Sequence, residues 1–96
     1  MEETKRVVLR KHRMHISRTM NPRKVVEVLY SRDLLDADDR EVILAETTTQ
    51  RKALKLLDML PWKGPDAFDV FLQALYHCGH VFLANTLQSG SPGTIT

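Results

Sequence analysis

Thr47-Thr48-Thr49-Gln50-Arg51-Lys52-Ala53-Leu54-Lys55-Leu56-Leu57-Asp58-Met59-Leu60-Pro61 runs directly into Trp62-Lys63-Gly64-Pro65-Asp66-Ala67-Phe68-Asp69-Val70-Phe71-Leu72. This stretch holds the start, body and stop of one helix and the start of the next. Thr47 with Gln50 three residues on has the form of a capping box, in which side chains satisfy N–H groups at the helix start. Ala53, Leu56, Leu57 and Leu60 then recur on one helical stripe, and Pro61, which lacks an N–H, ends it. Lys63-Gly64-Pro65-Asp66 reads as a turn. A further helix over about 66–78 places Ala67, Phe68, Phe71, Leu75 and Cys78 on or beside one face, and Gly79 suits its C-terminal cap.

The same period extends in both directions. Leu9, His12, Ile16 and Met20 predict a helix over about 3–19. Asn21-Pro22 supplies an N-cap and a proline at the first helical position, where the missing N–H costs nothing. The second helix runs from Pro22 to Arg32, with Val25, Val26, Val28 and Leu29 on its apolar side. Asp36-Ala37-Asp38-Asp39 opens a third, ending near Ala45, since acids complement the positive end of a helix dipole. A sixth, about 80–88, presents Val81, Leu83, Ala84 and Leu87. Alternating strand patterns are missing. Six short helices with tight connections predict an all-α antiparallel bundle. Residues 1–88 form this domain, and 89–96 have the composition of a flexible linker or tail.

Ninety-six residues, 43% hydrophobic and 27% charged, are those of one globular domain. Folding at this size buries roughly 60–65% of the surface of the unfolded chain, which favours a binding module over an enzyme with its own cleft. No apolar run approaches the roughly 20 residues of a membrane span, and the N-terminus lacks a secretion signal. Cys78 is the only cysteine, which fits a reducing compartment, the cytoplasm or nucleus. The net charge of +2 hides a segregation: residues 1–24 sum to +6, 25–46 to −5, 47–63 to +3 and the remainder to −2. A chain this polarised should offer one basic and one acidic surface.

Chemistry finds little to build on. His77-Cys78-Gly79-His80 offers zinc ligand types, but a fourth ligand is wanting and Cys78 lies on the apolar stripe. No thiol-protease signature surrounds Cys78. Ser17, Ser31 and the Thr47–Thr49 run fall at helix ends or exposed positions, without a base and carboxylate at any spacing. A phosphate-binding glycine loop is absent. The expectation is no catalytic residue, no cofactor and no metal. The basic first helix (Lys5, Arg6, Arg10, Lys11, Arg13, Arg18) supports a nucleic-acid reading, countered by the compensating acids and by the few aromatic stacking platforms. Trp62, in a turn, either folds over the helix ends or serves as a partner contact. For Asp36 and Asp39 capping alone would suffice; seven acids around two short helices exceed what caps require, and suit docking through opposite charge.

Thr47-Thr48, Arg51-Lys52, Leu56-Leu57-Asp58-Met59-Leu60-Pro61, Gly64-Pro65, Ala67-Phe68-Asp69 and Phe71-Leu72 together resemble a caspase recruitment domain (CARD) of the death-fold superfamily, over about residues 3–88. Leu29-Tyr30 and Val8-Leu9-Arg10 with Arg13 add weaker matches. The likeness leans toward adaptors that join a CARD to a death domain, and next toward the prodomains of initiator caspases. It implies a six-helix Greek-key bundle, often with a bent first helix. It also implies pairing of a basic surface on the first and fourth helices with an acidic surface on the second and third of another CARD. Arg10, Lys11, Arg13, Arg51, Lys52 and Lys55 fall on the basic side. Glu27, Asp33, Asp36, Asp38, Asp39 and Glu41 fall on the acidic side, which an adaptor would mainly use. Residues 77–88 depart from the family pattern, and Arg23, Lys24, Arg32 and Arg40 dilute the acidic face.

The leading expectation is therefore an apoptotic adaptor CARD in the cytoplasm. It would recruit an initiator procaspase by homotypic CARD–CARD interaction, with self-association as a second mode and neither nucleic acid nor membrane as partner. The alternatives are the prodomain CARD of an initiator caspase and a small basic nucleic-acid-binding helical domain.

Overall fold

Thr48, one residue beyond the expected cap, accepts the Arg51 N–H on its side-chain oxygen at 3.0 Å and starts the central helix, α5, Thr49–Met59. The computed structural model describes residues 1–89. Around α5 stand α1 (Glu3–Lys11), α2 (Arg13–Thr19), α3 (Pro22–Ser31), α4 (Ala37–Leu44), α6 (Ala67–His77) and α7 (Val81–Ser89). A single 3-10 turn, Leu60–Trp62, carries Pro61 out of α5. Ser89, assigned above to the tail, closes α7, and residues 90–96 lie outside the described residues.

The helix expected over 3–19 is two segments. At His12 (φ −100°, ψ 10°) the chain leaves helical geometry for one residue. The bend brings Val8 and Leu9 of α1 and Ile16 of α2 into one core. Among the described residues, seven α-helices thus fill the six positions of the bundle. Their packing is not a simple up-and-down meander: α2 and α3 lie against α5, α3 also against α6, and α6 against α7. These contacts agree with the all-α, six-helix Greek-key bundle that the resemblance implies.

The core is apolar. Val25, Val26, Leu29, Ile43, Leu56, Leu60, Phe71, Leu75 and Leu87 are buried, each such side chain contributing about 1.5–3 kcal/mol when removed from water. Ser17 is buried rather than exposed; its hydroxyl donates to Met14 O at 2.8 Å and accepts from Gln50 Nε2 at 3.3 Å, tying α2 to α5. Asn21 caps α3 as expected, accepting the Lys24 N–H at 3.2 Å. Positive φ at Gly64 and Gly79, 101° and 84°, lets each turn close where a side chain would strain it. Asp33, at φ 63°, takes the same left-handed region in the α3–α4 connection, which aspartate tolerates better than most residues.

Candidate functional site

The packing of α2 on α5 collects the cations that the sequence spread over two regions. Arg10 and Arg13 line one groove with Arg6, Leu57, Asp58 and Trp62. Arg10, Lys11 and Arg51 are exposed, and Arg13, Lys52 and Lys55 are half-buried. Two of the six are engaged within the chain: Arg13 pairs with Asp58 at 2.7 Å, and Lys52 Nζ donates to Glu46 O at 2.8 Å. Among the described residues the side chains of Arg10, Lys11, Arg51 and Lys55 make no ion pair or hydrogen bond.

Beside this groove Trp62 is 78% exposed, so it does not fold over the helix ends. The Arg6 guanidinium lies 5.3 Å from its ring centroid and donates to Met1 O and Pro61 O, at 3.2 and 3.4 Å. A cation over an indole face is favourable even at an exposed site, and here it ties the ring to Arg6 of α1.

The packing of α3 on α4 brings the acidic candidates together, and it also neutralises part of them. Glu27 on α3 receives two hydrogen bonds from Arg40 on α4. The Arg40 hydrogen bond holds the Glu27 carboxyl below its ordinary pKa. Asp36 is the N-cap of α4; it accepts the Asp39 N–H at 2.8 Å while Asp39 accepts the Asp36 N–H at 3.1 Å, a reciprocal capping box. Asp39 also accepts from Lys63 Nζ at 2.5 Å. Burial pushes the Asp39 carboxyl up, but the hydrogen bonds from Lys63 and Asp36 outweigh it and leave the pKa lowered. Asp36 and Asp39 are therefore occupied in holding α4 together. Asp33, Asp38 and Glu41 are exposed and, among the described residues, make no ion pair or side-chain hydrogen bond.

Sequence reasoning missed the partners Asp58 and Lys63. They lie 45 and 24 residues from Arg13 and Asp39, so no local pattern announces them.

At the α6–α7 connection, Cys78 caps α6 and is half-buried. Burial raises the pKa of its thiol while Lys24 lowers it, with a net rise, so it is not activated as a nucleophile. His80 Nε2 accepts the Asn21 N–H at 3.0 Å. Among the described residues no three His, Cys, Asp or Glu side chains come together to hold a metal. Nor is any described helix long and apolar enough to cross a membrane.

Fold and surface define a small helical interaction domain: a filled apolar core, and charged side chains presented from paired helices. The family model of the caspase recruitment domain matches residues 6–90, so the chain belongs to the CARD family. The match runs through residues 77–88, the stretch that had looked divergent. Over 88 residues the chain is 30% identical to cell death protein 3 of Caenorhabditis remanei, covering 92% of this chain and 17% of that protein. It is 25% identical over 87 residues to caspase-2 of Gallus gallus, with 91% and 20% covered. It is 28% identical over 92 residues to apoptotic protease-activating factor 1 of Homo sapiens, with 96% and 7% covered. The chain thus spans a fifth or less of the length of these relatives. A CARD is a protein-interaction domain.

Proposed function

We propose that this chain is an apoptotic adaptor CARD that recruits an initiator procaspase by homotypic CARD–CARD docking in the cytoplasm. Its contribution is proximity: gathering zymogens raises their effective concentration, so that neighbours activate one another. The observation that carries this reading is the division of unengaged charge. Arg10, Lys11, Arg51 and Lys55 stand on α1 and α5, while Asp33, Asp38 and Glu41 stand in and before α4. Opposite charge on two surfaces of one fold suits head-to-tail docking of like domains. The adaptor uses Asp33, Asp38 and Glu41 toward the basic side of the caspase CARD; Glu27, Asp36 and Asp39 shape that surface from within.

The second reading, the prodomain of an initiator caspase, draws support from the similarity to caspase-2. In that case the basic side, Arg10, Lys11, Arg13, Arg51, Lys52 and Lys55, meets the acidic side of an adaptor. Mixing the chain with a caspase CARD and, separately, with an adaptor CARD, followed by gel filtration at about 50 mM and about 500 mM salt, separates the two. A complex with the caspase CARD alone, weakened by salt, is the expected result. A complex with the adaptor CARD alone supports the prodomain reading, and salt-sensitive retention of DNA instead supports the nucleic-acid alternative.

A further inference from the structure

Away from the α1–α5 groove, helices α3 and α4 and the C-terminal end of α6 flank an open groove of about 570 Å³. Val28, Leu44 and Cys78, each half-buried, give it an apolar wall. Arg23 and Lys24 stand at its rim, from the first turn of α3. The one acid lining it, Glu27, is already held by two hydrogen bonds from Arg40. Arg23 and Lys24, by contrast, make no ion pair and no side-chain hydrogen bond among the described residues. Lys24 is near enough to Cys78 to draw the thiol pKa down against burial, so its charge is felt at the apolar wall.

A cavity of roughly 300–1,000 Å³, mainly apolar with a few convergent polar groups, is the usual form of a small-molecule site. Of the unengaged polar groups lining it, Arg23, Lys24 and His77, two are cations and none is an acid, which sets the sign of the ligand's charge. We propose that this groove binds a small amphipathic carboxylate, its chain against Val28, Leu44 and Cys78 and its carboxylate between Arg23 and Lys24. The site is distinct from the α1–α5 cations and does not depend on which partner the domain recruits.

Cys78 is the only cysteine in the chain, so its alkylation by iodoacetamide reports occupancy. Decanoate is the probe; decanol and decyltrimethylammonium, of the same chain length, are the controls. Decanoate is expected to slow alkylation saturably and to shift the amide resonances of Val28, Leu44 and Cys78, while neither control matches it. Lys24→Gln, scored by the ratio of rates with and without decanoate, should weaken binding roughly tenfold, the loss of about one charge-assisted hydrogen bond. Arg23→Gln provides a second variant at an exposed position, and Lys11→Gln should leave affinity unchanged. Equal protection by decanol, unchanged affinity in both Lys24→Gln and Arg23→Gln, or a non-saturating response with shifts spread through the core overturns the proposal.

Discussion

At Asp39 one carboxylate accepts the Asp36 N–H at 3.1 Å and Lys63 Nζ at 2.5 Å, and its own N–H is taken by Asp36. Its helix, α4, has only Ile43 fully buried. With so little apolar burial, the cap and the ion pair decide whether these eight residues stay helical. The side chains of Lys63 and Asp39 are only 24% and 17% exposed, so solvent screens this pair less than a surface one. Asp39→Ala is expected to cost about 1–2 kcal/mol in urea unfolding. The Asp39 pKa is depressed in the folded state. Its contribution is therefore complete above the ordinary carboxylate value and disappears as pH falls through the folded one. The variant should accordingly match the parent more closely at about pH 3 than at about pH 7. An equal gap at both values would mean the carboxylate's charge plays no part. The caps at Asp36 and Asp39 were legible because they are local; Lys63 was not, because that contact exists only after folding.

The joint between α6 and α7 shows the same division one level up. Gly79 announced the end of α6, and its positive φ fits that role. That the following residue reaches back to α3 could not be read from spacing: His80 Nε2 accepts from Asn21 N, 59 residues away. The break at His12 was hidden from spacing, since neither glycine nor proline marks it, and only the family resemblance implied a bent first helix; it arises because two apolar faces must meet one core. At the start of α5 the sequence misjudged an N-cap by one residue, at Thr47 for Thr48, where three adjacent threonines offer the same hydroxyl. Apolar periodicity, by contrast, gave most core positions, because burial leaves few substitutes for Leu, Val and Phe, though it missed Leu35 and Ile43 and placed the exposed Val81 on an apolar face. The His80 bond requires a neutral imidazole to accept the N–H. Burial, and then Lys24, lower its pKa. Stability from this contact is complete above the ordinary histidine value of 6.5 and declines as pH falls below it, because the unfolded chain takes up the proton first. His12 has a lowered pKa of the same sign, from burial and then from Lys11 and His15. The urea midpoint should fall between about pH 7.5 and about pH 5, and fall less in His80→Gln, whose amide oxygen can accept without titrating. An identical fall in parent and variant would assign the acid loss to His12 instead.

For the whole molecule the question is whether charge segregated along the chain stays segregated on the surface. Packing answers in two parts. It assembles cations on the α1, α2 and α5 side, and it spends several acids and bases against each other: Arg13 with Asp58, Glu27 with Arg40, Asp39 with Lys63. The residues left over carry any recognition, because a charge already paired must first be freed. Exposed single pairs are worth only about 0.2–1 kcal/mol, so one reversal says little and several together are needed. Asp38→Arg with Glu41→Arg should weaken binding to a caspase CARD at least about tenfold while lowering the melting temperature only slightly, since among the described residues neither side chain bonds within the chain and only Asp38, in the first turn of α4, loses a favourable dipole contact, worth about 0.3–1 kcal/mol. Arg10→Glu with Lys55→Glu should leave that affinity nearly intact and instead reduce any self-assembly of the domain. A compensating pair of basic-to-acidic reversals on the caspase CARD should restore binding to the Asp38→Arg, Glu41→Arg form. Restoration is the discriminating result: a domain that had merely lost its shape would not recover through a change in its partner.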